Sequence, residues 1–108
     1  MTKPADDQTA VLRLAVDSAV HAVLHVDPRH GDARRDIDRV LATLAGDVAP
    51  VWDRLSALAD ETPDDPVGTV VGFLRDAREH AAAGDVQAAR VALIAARTTL
   101  FRLDRPRR

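Results

Sequence analysis

A single tripeptide, Ala83-Gly84-Asp85, constrains this chain more than any other stretch, because it can stop one helix and start the next within three residues. Upstream, Val67, Val70, Val71, Leu74, Ala77 and Ala81 recur at three- and four-residue spacing, and downstream Val86, Ala89, Leu93, Ala96, Leu100 and Leu103 do the same. Apolar residues at that spacing line one face of a helix. Glycine adopts the left-handed conformation that closes a helix, and aspartate accepts the free N–H groups of the next first turn. Asp65-Pro66 gives the upstream helix its own start, a capping carboxylate before a proline whose missing N–H has no partner to lose there. The last third therefore reads as a helical hairpin, with helices over 66–83 and 86–103. Phe73 and His80 stack along one edge of its first helix, and Gly68 and Gly72 fall on the side away from the core. Ile94 and Phe101 widen the apolar face of its second helix.

The preceding two thirds carry three more helical stripes. Over 7–26, Leu12, Ala15, Val16, Ala19, Val20, Val23 and Val26 share one face, and Arg13, Leu14, Asp17, Ser18, His21 and His25 lie on the far side. Asp27-Pro28 ends this helix, because the residue before proline avoids the helical region. The next begins either at Asp27 or at Gly31-Asp32. Over 32–45 the stripe is Ala33, Ile37, Val40, Leu41 and Leu44, opposite a charged face of Arg34, Arg35, Asp36, Asp38 and Arg39. Gly46-Asp47 repeats the stop-and-start signal, and a further helix over 48–61 accommodates Pro50 in its first turn. Its stripe is Val48, Val51, Trp52, Leu55, Leu58 and Ala59, and Thr62-Pro63-Asp64-Asp65-Pro66 follows as a loop. No segment alternates at the two-residue period of a strand. The expected fold is all-α, a single domain over 1–108 forming an antiparallel bundle of about five helices, with 1–6 and 104–108 as frayed tails.

Composition narrows the function classes. Twenty alanines against three aromatic residues (Trp52, Phe73 and Phe101) suit helices at close approach. Fourteen arginines against the single Lys3, with abundant Asp, Ala and Val, match a GC-rich, bacterial-like coding bias. The net charge of −2 gives no global basic field for nucleic acid, and the arginines from Arg102 to Arg108 read as a solubilising tail. The absence of cysteine excludes disulfides and thiolate chemistry and fits a cytoplasmic location. The start of the chain is polar and acidic, without the pattern of a signal peptide, and no apolar run reaches membrane-spanning length. Neither a membrane nor a nucleic acid is the expected partner.

Two stretches resemble known families. Gly84-Asp85-Val86, followed by Ala89, Leu93 and Ala96 and preceded by Phe73 and Ala77, is similar to a tetratricopeptide-type helical hairpin. Gly46-Asp47-Val48 with Val51, Leu55, Leu58 and Pro63 repeats the later half of that pattern 38 residues earlier, so the resemblance spans at most 32–103. It departs at Asp76, where an apolar residue is expected, at Arg35 and Arg39, and in its period, which exceeds the family's roughly 34 residues. The resemblance implies protein binding. Separately, Arg75-Asp76-Ala77-Arg78-Glu79-His80 resembles the Arg-x4-His motif of HEPN-type ribonucleases, small helical bundles. That resemblance implies RNA cleavage across a dimer cleft, with Arg75 holding the phosphate and His80 transferring the proton. On one helix the two side chains point about 140° apart.

Two further clusters carry possible chemistry. Asp17, His21 and His25 repeat every four residues, a spacing at which two imidazoles and a carboxylate can share one divalent metal. The alternative is a solvated polar ridge. A di-iron carboxylate site is excluded, because Glu61 and Glu79 are the only glutamates. Arg78, Arg90 and Arg97 border the apolar stripes of the hairpin and could bind an anion, or pack their stems while their charges reach water. No phosphate-cradling glycine loop, nucleophile elbow or Ser-His-Asp signature occurs, so neither catalysis nor a cofactor is expected. The expected function is a non-catalytic protein–protein interaction or regulatory accessory module, with a protein partner or self-association. The alternative is a HEPN-like ribonuclease using Arg75 and His80, and the third reading is a metal- or anion-binding bundle.

Overall fold

The structure, a computed structural model, describes residues 4–104 apart from Pro28 and Pro63, and side chains over 9–102. The expected tails 1–3 and 105–108 and the side chain of Leu103 lie outside the described residues. Four helices follow in order: α1 Pro4–Val23, α2 Ala33–Glu61, α3 Pro66–Ala82 and α4 Val86–Asp104. No strand occurs among the described residues. The all-α expectation holds, and the helix count of about five becomes four. Residues 4–6 and 104, expected in frayed tails, belong to α1 and α4.

The correction falls at Gly46-Asp47, where the two expected helices are one helix of 29 residues, with Gly46 and Pro50 in its interior. An interior glycine costs about 1 kcal/mol and an interior proline about 3 kcal/mol relative to alanine. Against this, Ile37, Leu41, Leu44, Val48 and Leu55 are all buried on one continuous face. Each is worth about 1.5–3 kcal/mol of apolar burial. Breaking the helix at Gly46 would turn Val48 and Leu55 out of phase with Leu41 and Leu44, so burial outweighs the local stop signal.

The true ends are chemically explicit. The first helix tightens where it approaches the Asp27-Pro28 pair, its ladder passing from Leu24 N–H donating to Val20 O to Val26 N–H donating to Val23 O. Its end at Val23 is three residues earlier than expected, although Val26 is still buried. Helix α2 starts after Gly31-Asp32, the second of the two candidate starts. At α3, the Asp65 carboxylate accepts from Val67 N–H at 2.8 Å, ahead of Pro66 at the first helical position. At the hairpin, Gly84 has φ +82°, its N–H donates to Ala81 O at 3.0 Å, and Asp85 N–H donates to His80 O at 2.8 Å. Those two bonds are the Schellman pair that satisfies the last carbonyls of a helix. Asp85 then caps α4 by accepting from Ala88 N–H at 3.0 Å.

The packing closes a ring in which α1 lies on α2 and α4, and α3 lies on α2 and α4, the hairpin pair α3–α4 being the most intimate. This is an up-and-down four-helix arrangement. The molecule measures 47 × 29 × 24 Å. Its long axis matches α2, which at 1.5 Å per residue spans about 43 Å. The core is aliphatic, with Leu12, Val16, Ile37, Leu55, Val70, Val71, Ala77, Leu93 and Ala96 essentially inaccessible. Gly68 corrects another expectation. It is buried at the α2–α3 contact, where an added Cβ would lie 3.1 Å from Ala59 Cα and 3.2 Å from Thr62 O. Absence of a side chain lets the two backbones meet.

Candidate functional site

The outward surface divides unevenly. Leu14, Leu24, Val91, Ile94 and Phe101 are the exposed large apolar side chains among the described residues, and all five belong to α1, the turn that follows it, and α4. Leu14 is 72% exposed and Phe101 55%. Helix geometry gathers them. On α4, Val91, Ile94 and Phe101 share the outer side, with Ile94 and Phe101 leaning toward α1. On α1 and the first residue of the turn after it, Leu14, Asp17, His21 and Leu24 repeat at three and four residues. Ile94 and Phe101, expected to widen the core face, are therefore surface residues, because Ala89, Leu93, Ala96 and Leu100 already fill the core side.

The seam between the two helices has a polar centre. Arg97 Nε lies 3.2 Å from Asp17 Oδ1. The contact is an ion pair off the hydrogen-bond direction, since this Nε is shielded from solvent without a directed acceptor. The Asp17 side chain stays 60% exposed. The Arg97 guanidinium also sits 5.2 Å from the Phe101 ring centroid, within range of a cation–π attraction. Arg13, Leu14, Asp17, Arg97 and Phe101 together line a cleft of about 190 Å3.

A second recess lies on the far side, between α2 and α3. Leu41, Leu44, Val48, Trp52 and Leu74 floor a groove of about 300 Å3, with Asp53 and Arg78 beside it. Trp52, expected in the core stripe of its helix, is only partly buried and forms part of this groove. It is a surface shaped by side chains, without an exposed large aliphatic residue.

The sequence-predicted residues distribute as follows. Arg75 and Asp60 form an ion pair, Nη1 to Oδ1 at 3.3 Å, between α3 and α2. His80 is exposed near the C-terminal end of α3, so the expected packing beside Phe73 on the inner edge is corrected. On α1, Asp17 is drawn to Arg97, while the rings of His21 and His25 meet edge to face at 5.9 Å. His25 already lies beyond the end of the helix. Among the described residues no group of three or more His, Asp or Glu side chains is placed to hold a metal ion. The three arginines do not share one seam. Arg78 borders the α2–α3 groove, Arg97 the α1–α4 cleft, and Arg90 is half-buried on α4 and lines neither.

Sequence reasoning placed Leu14 on the outer face and did not read it as part of a surface. The available signal was the surplus: once the core stripes are filled, Leu14, Leu24, Val91, Ile94 and Phe101 remain, and they project outward from α1, the turn after it and α4. No helix among the described residues is long and apolar enough to cross a membrane. No protein-family model, no curated protein and no solved structure matches this chain.

Proposed function

We propose that this chain is a non-catalytic helical interaction module, a regulatory or accessory protein whose working surface is the outer face of α1 and α4. One observation carries the reading: the five exposed large apolar side chains collect on these two helices and the turn that follows α1, and the outer faces of α2 and α3 carry none among the described residues. Scattered exposed aliphatic residues are ordinary, but an apolar cluster rimmed by charge marks a surface that binds protein. Phe101 and Arg97 are residue types that dominate binding energy at such surfaces, and Arg13 and Asp17 in the same cleft supply a polar border.

The test uses the intact protein in its own cell. A photo-crosslinking amino acid at the position of Phe101 is compared with one at the position of Glu79, an exposed site on α3. Covalent protein adducts are expected from the first position and not from the second. No adduct from the Phe101 position, with the variant folded, overturns the proposal.

A further inference from the structure

The α1–α4 face is complementary to itself. Along the seam Leu14 lies level with Phe101, and one turn further on Asp17 meets Arg97. The residue numbers rise on α1 while they fall on α4, so the helices are antiparallel. The same register places His21 level with Ile94 and Leu24 level with Val91. At two of these levels, Leu14 with Phe101 and Leu24 with Val91, both residues are apolar, and at a third Asp17 is opposite in charge to Arg97, whereas His21 and Ile94 differ in polarity.

We propose that a second copy of this chain covers the face, related by a two-fold axis running along the seam. The inference rests on the interaction-module reading and names its partner. A closed dimer requires one patch to meet itself across a two-fold axis. Two in-plane axes are available, and charge chooses between them. An axis perpendicular to the seam lays α1 on α1, setting Asp17 against Asp17 and Arg97 against Arg97 at the centre. An axis along the seam lays α1 on α4 of the partner subunit. Asp17 then faces Arg97 of the partner subunit, Leu14 faces Phe101 of the partner subunit, and Leu24 faces Val91 of the partner subunit. Each contact occurs twice.

The state of the Asp17–Arg97 pair suits this arrangement. The Asp17 side chain is 60% exposed and its carboxylate is engaged by a single off-axis contact, leaving oxygen lone pairs for a second guanidinium. The dimer thus converts a loose pair within each subunit into a four-membered charge cluster, with Leu14 and Phe101 in apolar contact on one side and Leu24 and Val91 on the other, beyond the level of His21 and Ile94. Opposed charges fix the register of such an interface, and the apolar flanks supply its burial.

The chain contains no cysteine, which makes the register directly readable. Equilibrium sedimentation of the full chain is expected to give twice the 11.7 kDa chain mass. Phe101→Glu is expected to give a folded monomer. Asp17→Arg and Arg97→Asp should each weaken the dimer, and an equal mixture of the two variant proteins should restore it, because every cross-subunit pair is then opposite in sign. Disulfide trapping fixes the axis. Leu14→Cys protein mixed with Phe101→Cys protein should cross-link, and Leu14→Cys protein alone should not. A wild-type chain that stays monomeric throughout the micromolar range overturns the inference. Cross-linking by Leu14→Cys alone overturns the proposed axis. The adducts from the Phe101 photo-crosslinker separate the two proposals. An adduct of twice the chain mass supports both, adducts with other proteins alone defeat the dimer and leave the interaction module standing, and no adduct defeats both.

Discussion

Gly46-Asp47 and Gly84-Asp85 present the same pair of residues to the same following neighbour, a valine, yet α2 passes through the first and the chain reverses at the second. Capping chemistry is available at both. The difference lies in the phase of the valine. Val48 follows Leu44 by four residues and Leu41 by seven, so a continuing helix keeps it on the buried face. Val86 follows Ala77 by nine, half a turn out of phase, and a continuing helix would carry Gly84 and Asp85 toward the core instead. A stop signal ends a helix where continuation would bury polar groups, and is overridden where continuation buries apolar ones.

The strongest way to break this comparison is to remove burial beside the first glycine. Leu44 is buried two residues before Gly46, and Leu44→Ala is expected to cost about 2–5 kcal/mol by chemical denaturation. A loss below about 1 kcal/mol would mean that burial does not hold the helix together there. Gly84→Ala comes next. Its φ of +82° is strained for any L side chain, and a loss of about 1–2 kcal/mol is expected from thermal melts. Asp85→Ala should cost about 1 kcal/mol, since the carboxylate accepts from Ala88 N–H, whereas Asp47→Ala should stay within about 0.5 kcal/mol of the wild type. Equal effects at the two aspartates would show that position 47 is a cap after all. Smallest is Gly46→Ala. An added Cβ there meets nothing within 4 Å, and a gain of about 0.5–1 kcal/mol is expected. A loss of stability at Gly46→Ala would contradict an uninterrupted helix.

Much of the fold was legible because its punctuation and its phases agree. Asp65-Pro66, Gly84 and Asp85 sit where local chemistry and core periodicity demand the same boundary, and all behave as read. Gly46-Asp47 misleads only when read as a dipeptide, since the in-phase spacing of Leu41, Leu44 and Val48 was already present in the sequence. Gly68 was less legible. Its value lies in the approach of Ala59 from another helix, and one helix's periodicity does not contain its neighbour's position. The same limit applies to the candidate surface. The outward angle of Leu14 on its own helix can be calculated, but its alignment with Phe101 depends on which helices adjoin. His80 and Trp52 fell the other way, since an edge position becomes exposed or covered according to how closely the next helix approaches.

The ring order of the helices has a consequence for the order in which the molecule assembles. Contacts between α3 and α4 close across the short turn at Gly84, while those between α1 and α4 join opposite ends of the chain. Long-range contacts yield their stabilisation only after a large loop has been closed, so the hairpin is expected to organise before α1 docks. Kinetic analysis of Leu93→Ala against Leu12→Ala measures this directly: the first should slow folding, and the second should mainly accelerate unfolding. On that route the α1–α4 seam is the last surface completed, and Ile94 and Phe101 are presented by the hairpin before Leu14 arrives beside them. Encounter with a second chain in that interval could replace an intramolecular α1 with an exchanged one, so the timing of one helix separates a side-by-side dimer from a domain-swapped one.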